Sequence, residues 1–251
     1  MPYDLHFYVF AVLAVVLVGL AKGGFSGLGA LATPLMALGI ADPVKAAAIL
    51  LPILIAQDIV GVAAFRKTWD KGVLIAMLPG ASVGVLLAYL LASQVSSAAI
   101  MGVLGGVSIL FGIYRLWIER AGSIAASSNS PAWVGSLFGI ASGFTSQIAH
   151  AGGPPFQMWV MPKRLPRDMF VGTSAIFFAL LNWIKVPAYV ALGQFTKENA
   201  LATATLLPVA VLSSMAGVKL VRRVSMERFY VIIYALMILA GAKLLIDAMR
   251  L

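Results

Sequence analysis

Apolar residues in this chain run in helix-length blocks instead of alternating with period two. Tracts at about 5–21, 28–40, 44–65, 72–92, 97–117, 132–148, 156–161, 169–192, 200–220 and 229–248 leave no stretch that would fold as a soluble domain. A membrane-spanning helix needs about 20 apolar residues. The pattern therefore predicts an all-α polytopic membrane protein, with about eight hydrophobic segments by simple hydropathy. Met1 to His6 carries no basic cluster and no small-residue cleavage pattern follows the first tract, so the first segment is expected to stay in the mature protein.

Composition agrees with this reading. The 251 residues are 61% hydrophobic and 11% charged, with a mean hydropathy of +0.99. There is no cysteine, which excludes disulfides, thiolate metal sites and cysteine nucleophiles. The net charge of +9 belongs to loops that orient the protein and touch anionic lipid, so nucleic acid is not an expected partner.

The two halves line up in order. Gly19 to Pro34 reads GLAKGGFSGLGALATP, and Gly139 to Pro155 reads GIASGFTSQIAHAGGPP. Each is followed by a long apolar helix with polar residues near its middle, Gln57 and Asp58 in the first half, Asn182 and Lys185 in the second. A helix with a Leu-Pro pair comes next, Leu78-Pro79 and Leu207-Pro208, and then a plain apolar helix. This gives a first repeat over 1–118, a linker over 119–131 and a second repeat over 132–251, together one transmembrane domain.

Loop charge discriminates between two threadings. If each Gly-rich motif lies in a crossing helix, the loop Lys and Arg residues divide evenly between the faces. If each is the tip of a re-entrant hairpin, Arg66, Lys67, Lys71, Arg115, Arg120, Lys163, Arg164, Arg167, Arg222, Arg223 and Arg228 share one face, against Lys45, Lys197 and Arg250. That asymmetry matches the positive-inside rule. Each half is then a Gly-rich broken hairpin plus three transmembrane helices, and the halves are inverted repeats whose broken segments meet near the midplane. The arms, at roughly 13 to 17 residues, are expected to be short for full spans.

Non-helical backbone survives at membrane depth only beside protein or a water-filled cavity. Gly23, Gly24, Ser26, Gly27, Gly29 and Thr33 in the first motif, and Thr145, Ser146, Gln147, His150, Gly152 and Gly153 in the second, are therefore candidate substrate-binding residues. A helix that begins just after such a break presents free N–H groups and a positive dipole end, both suited to an anion. Packing through small residues is the competing explanation for the glycines.

Ionisable residues inside membrane segments point to function. Asp58 is the candidate for proton or ion coupling, together with His150, and Lys185 is the candidate for attracting an anion. An ion pair of Asp58 with Lys185 or Lys22 is the structural alternative. Lys22 either joins the site or snorkels; Lys219 and Lys243 snorkel. Gln57, Gln157 and Asn182 are secondary hydrogen-bond donors, and Trp69, Trp117 and Trp159 read as an interfacial aromatic belt. No metal site and no cofactor is expected.

The motifs KGGFSGLGALATP and QIAHAGGPP, each followed by a helix and then a Leu-Pro helix, resemble those of the TauE/SafE family of sulfite and organosulfonate exporters, over nearly the whole chain. The first motif departs from the usual form, reading Gly29-Ala-Leu-Ala-Thr-Pro34. The resemblance implies a multi-pass protein of a bacterial inner membrane that exports sulfite, a sulfonate or a related anion. The expected partners are a small anionic substrate and membrane lipid, with a homodimer as an open assembly state. There is no nucleotide-binding G-x-x-x-x-G-K-[ST], so an ion gradient would supply the driving force. Two alternatives stay open: a rhomboid-like intramembrane serine protease using Ser26 and His150, and a non-transporting membrane assembly protein.

Overall fold

The computed structural model describes residues 3–22, 29, 32–40, 42–92, 96–121, 130–160, 163, 165–220, 235, 238–239 and 241–249. Their regular structure is helical throughout: α1 (Leu5–Lys22), α2 (Ala32–Ile40), α3 (Pro43–Phe65), α4 (Lys71–Ala92), α5 (Ser97–Ala121), α6 (Ala132–Ala149), α7 (Gly153–Val160), α8 (Arg167–Ala191) and α9 (Lys197–Leu220). Residues 241–248 are helical as well. Among the described residues five helices, α1, α3, α4, α8 and α9, are long and apolar enough to cross a membrane. Large apolar side chains such as Leu86, Leu110 and Leu212 face outward, uncovered by protein.

Local chemistry sets the helix boundaries. The Asp42 carboxylate accepts from the N–H groups of Val44 (3.1 Å) and Lys45 (3.0 Å), with Pro43 opening α3. Asp70 does the same for α4 through the N–H of Val73 (2.9 Å). α6 stops where His150 takes a left-handed conformation, φ 51°, an uncommon backbone state for a residue with a side chain.

The two short helices fold back on the helices before them. Gly39, at the end of α2, meets Phe7, at the start of α1, where an added Cβ would lie 3.0 Å from the Phe7 Cα. Gly135, early in α6, lies against the ring of Trp159, late in α7, and the Trp159 indole N–H donates to Ser130 Oγ at 3.1 Å. α1–α2 and α6–α7 are thus antiparallel hairpins. Their arms are unequal: α1 and α6 have 18 residues each, α2 and α7 only 9 and 8. Against the 13 to 17 residues expected from the sequence, the first arms are slightly longer, because the helix continues to Lys22 in α1 and to Ala149 in α6, and the second arms, within the described residues, are clearly shorter. Trp159 is buried at 5% exposure and so replaces the belt reading: its ring fills the space that Gly135 leaves.

Cross-chain contacts assign helix ends to the two ends of the bundle. At one end the Tyr3 hydroxyl donates to Asn199 Oδ1 (2.8 Å), and the Thr203 hydroxyl donates to the Ile49 carbonyl (3.1 Å). At the other, the Asp70 N–H donates to Thr173 Oγ1 (2.8 Å) and Gly172 packs on the Thr68 carbonyl. α4 runs parallel to α6, with Gly80 on Ser136 and Gly84 on Ile140. α1 runs parallel to α9, with Gly19 on Ser213. α3 packs on α8 and α9, and α8 on α4.

Candidate functional site

Helix breaks inside a membrane bundle leave polar backbone that needs partners, and here the second break is closed by its own side chains. The Ser142 hydroxyl donates to the Gly152 carbonyl at 2.7 Å, turning the chain back toward α6. A Cβ at Gly152 would lie 2.8 Å from the Ser142 carbonyl oxygen and 2.9 Å from Ser146 Cβ, so only glycine allows this return. Pro154 and Pro155 open α7 and carry no N–H, and the Phe156 N–H bonds the Gly152 carbonyl at 3.3 Å. The expected row of main-chain donors is therefore thinned at this break, and side chains supply most of the polarity.

Two charged clusters flank the break. In the first, Lys22, the last residue of α1, forms an ion pair with Asp58 Oδ1, and Asn182 Nδ2 donates to Asp58 Oδ2 at 2.6 Å. Asp58 is 3% exposed and Asn182 2%. In the second, Lys185 is fully buried. Its Nζ lies 3.1 Å from Ser146 Oγ, 3.3 Å from the Ser146 carbonyl oxygen and 2.7 Å from His150 Nδ1. Three acceptors complement the three N–H groups of an ammonium. His150 Nε2 lies 2.8 Å from the Ala47 carbonyl; a carbonyl only accepts, so Nε2 carries a proton and Nδ1 accepts from Lys185. Tyr189 stacks on the imidazole at 6.2 Å between centroids and donates its hydroxyl to the Gln147 carbonyl (2.8 Å).

Between the clusters lies a cavity of about 80 Å³. A water needs roughly 10–15 Å³ of such space, so it holds roughly five to eight waters, or a small anion. Lys22, Asn182, Ser146, His150, Ser174, Gln157, Gly29 and Gly153 line it, with Phe170, Phe178, Val171 and Leu54 as apolar wall. The Lys22 ammonium also stands 5.7 Å from the centre of the Phe178 ring. Among the described residues no three His, Asp or Glu side chains come together as a metal would require.

The candidate residues divide accordingly. Gly29, Ser146, His150, Gly153 and Asn182 reach the cavity. Asp58 and Lys185 stand behind its lining, acting through Lys22 and Asn182 and through Ser146 and His150. Gly152 shapes the turn. Gln57 instead ties α3 to α1 and α9, donating to the carbonyls of Val15 (3.1 Å) and Ala210 (3.5 Å). Thr145 bonds back to the Ala141 carbonyl in its own helix (2.8 Å), and Thr33 and Gln147 are buried outside the cavity lining. Gly23, Gly24, Ser26 and Gly27 lie outside the described residues. Ser174, Phe170 and Phe178 were not apparent from the motifs. A helical stripe through Ser174, Phe178, Asn182 and Lys185, spaced four, four and three, was the signal that would have revealed them.

The helical bundle, its outward apolar surface and its buried charged cavity define a multi-pass membrane protein of the transporter class. Residues 11–244 match the sulfite exporter TauE/SafE family, and the chain belongs to that family. No curated protein and no solved structure matches it.

Proposed function

We propose that this protein is a secondary transporter that exports a small sulfur-containing anion, sulfite or a sulfonate, across a bacterial inner membrane, driven by an ion gradient. The carrying observation is a cavity whose one charged wall group among the described residues, Lys22, is held by Asp58. An anion entering there competes with the Asp58 carboxylate for the same ammonium. A carboxylate that loses its cation in a low-dielectric site binds a proton instead, so anion and proton occupancy are linked through one residue. His150 is the weaker coupling group, because both ring nitrogens are already bonded. The same commitment argues against the protease alternative, which needs a free imidazole nitrogen as base.

The inverted-repeat reading, with repeats over 1–118 and 132–251, draws support from the packing. Exchanging α1 with α6, α2 with α7, α3 with α8 and α4 with α9 turns the α1–α9 contact into α6–α4 and the α3–α9 contact into α8–α4, and leaves α3–α8 unchanged. Placing the bundle with Arg66, Lys67, Lys71 and Lys163 inside and Lys45 and Lys197 outside follows the positive-inside rule.

The direct test is uptake of radiolabelled sulfite, ethanesulfonate or taurine into proteoliposomes. Uptake of at least one above protein-free vesicles, accelerated by a pH gradient, is expected, and Asp58→Asn should remove the response to the gradient. No uptake under any gradient would reject the proposal. Threading is tested by labelling single cysteines in this cysteine-free chain: positions 130 and 163 should react from one face and position 96 from the other. Labelling of 130 and 163 from opposite faces would refute the hairpins.

A further inference from the structure

Gln157 is 2% exposed and lines the cavity from α7. Neither its amide nitrogen nor its amide oxygen has a hydrogen-bond partner. Buried amides are almost always bonded, since an unmatched end forfeits its hydration without return. An amide left open at both ends in a ligand-sized space is shaped for a ligand that satisfies both. Nε2 needs an acceptor, which any oxyanion offers. Oε1 needs a donor, which a fully deprotonated oxyanion lacks.

Resting on the transport reading above, we infer that the site selects a sulfur oxyanion or sulfonate that carries a hydrogen-bond donor of its own, and that Gln157 is the residue reading that donor. Hydrogen sulfite and hydroxy- or aminosulfonate groups have this chemistry; sulfate and simple alkanesulfonates do not. The phenyl wall of Phe170 and Phe178 accommodates the carbon end of an organic member of the class, with the sulfonate toward Lys22.

The test uses three probes on the purified full chain in detergent, with binding read by titration calorimetry: 2-hydroxyethanesulfonate, ethanesulfonate and sulfate. The first two differ by one hydroxyl. The wild type should bind 2-hydroxyethanesulfonate about tenfold more tightly than ethanesulfonate, the worth of one buried hydrogen bond. It should also bind sulfate, which has no donor, more weakly than 2-hydroxyethanesulfonate. In Gln157→Leu, and in Gln157→Met with its matched length, the tenfold ratio should fall to about one while ethanesulfonate still binds. The ratio is measured on folded protein only, so partial misfolding of a variant does not imitate the result. Equal affinity of the two sulfonates for the wild type, a ratio that survives both substitutions, or sulfate binding as tightly as 2-hydroxyethanesulfonate would each overturn the inference. Binding of the sulfonates without discrimination would overturn it while leaving anion transport standing; no binding and no uptake of any probe would end both.

Discussion

Replacing Asp58 by alanine is expected to destabilise the protein by about 3–5 kcal/mol, because it leaves the Lys22 ammonium largely buried without its counter-ion and removes the acceptor of Asn182. Lys22→Met should cost a similar amount by stranding the carboxylate. The double variant Asp58→Ala/Lys22→Met should recover much of the loss, since removing both charges also removes both desolvation costs. Reversible unfolding in mixed detergent micelles of increasing denaturing strength measures all three. A coupling near zero, with the two losses simply adding, would show that the pair is not energetically linked. Neither Lys22→Met nor the double variant should transport, because the cavity loses its only charged wall group among the described residues. Stability recovered without transport would separate what the pair does for the fold from what it does for an anion.

Much of this site was legible because ionisable residues are costly in hydrocarbon. Asp58, Lys185 and His150 stand out in apolar tracts, and all three end up buried around one cavity. Their pairing was not legible. Asp58 and Lys22 are 36 residues apart and Lys185 and His150 are 35 apart, and nothing in the tracts says which helix faces which. Lys185 was expected to face the anion directly and instead spends its donors on Ser146 and His150. The long helices follow their tracts closely: 44–65 became Pro43–Phe65 and 72–92 became Lys71–Ala92. The short arms were harder. Residues 156–161 carry too few apolar positions to show a helix of 8 residues, and Gly153 to Pro155 look like a loop until the chain is seen to restart there. The direction of the hairpins was visible only through loop charge, since hydropathy is blind to whether a chain turns back.

The second large effect lies where α4 meets α6. Four glycines, Gly80, Gly84, Gly139 and Gly143, bring the two backbones together, and a Cβ at any of them would overlap a carbonyl oxygen of the opposite helix, from Ser136, Ile140, Met77 and Ala81 respectively. The obstacle is backbone, not a flexible side chain, so an added methyl group must push the helices apart along their length. Small residues at such crossings are what allow helices to associate in lipid, where no hydrophobic force drives them together. Gly143→Ala and Gly84→Ala are each expected to destabilise at the upper end of overpacking, about 3 kcal/mol, and the pair to abolish folded expression. Gly106→Ala is the control: nothing lies within 4 Å of its Cβ position, and the change should be neutral or stabilising by up to about 1 kcal/mol through helix propensity. The effect on transport should exceed the effect on folding. Ser142, next to Gly143, holds the Gly152 carbonyl, and Gly152 precedes the short helix that carries Gln157 into the cavity. A displaced α6 therefore misplaces the amide and Ser146 even in the protein that folds. Retained transport in Gly143→Ala, with stability unchanged, would mean that the α4–α6 contact is looser than the backbone geometry requires.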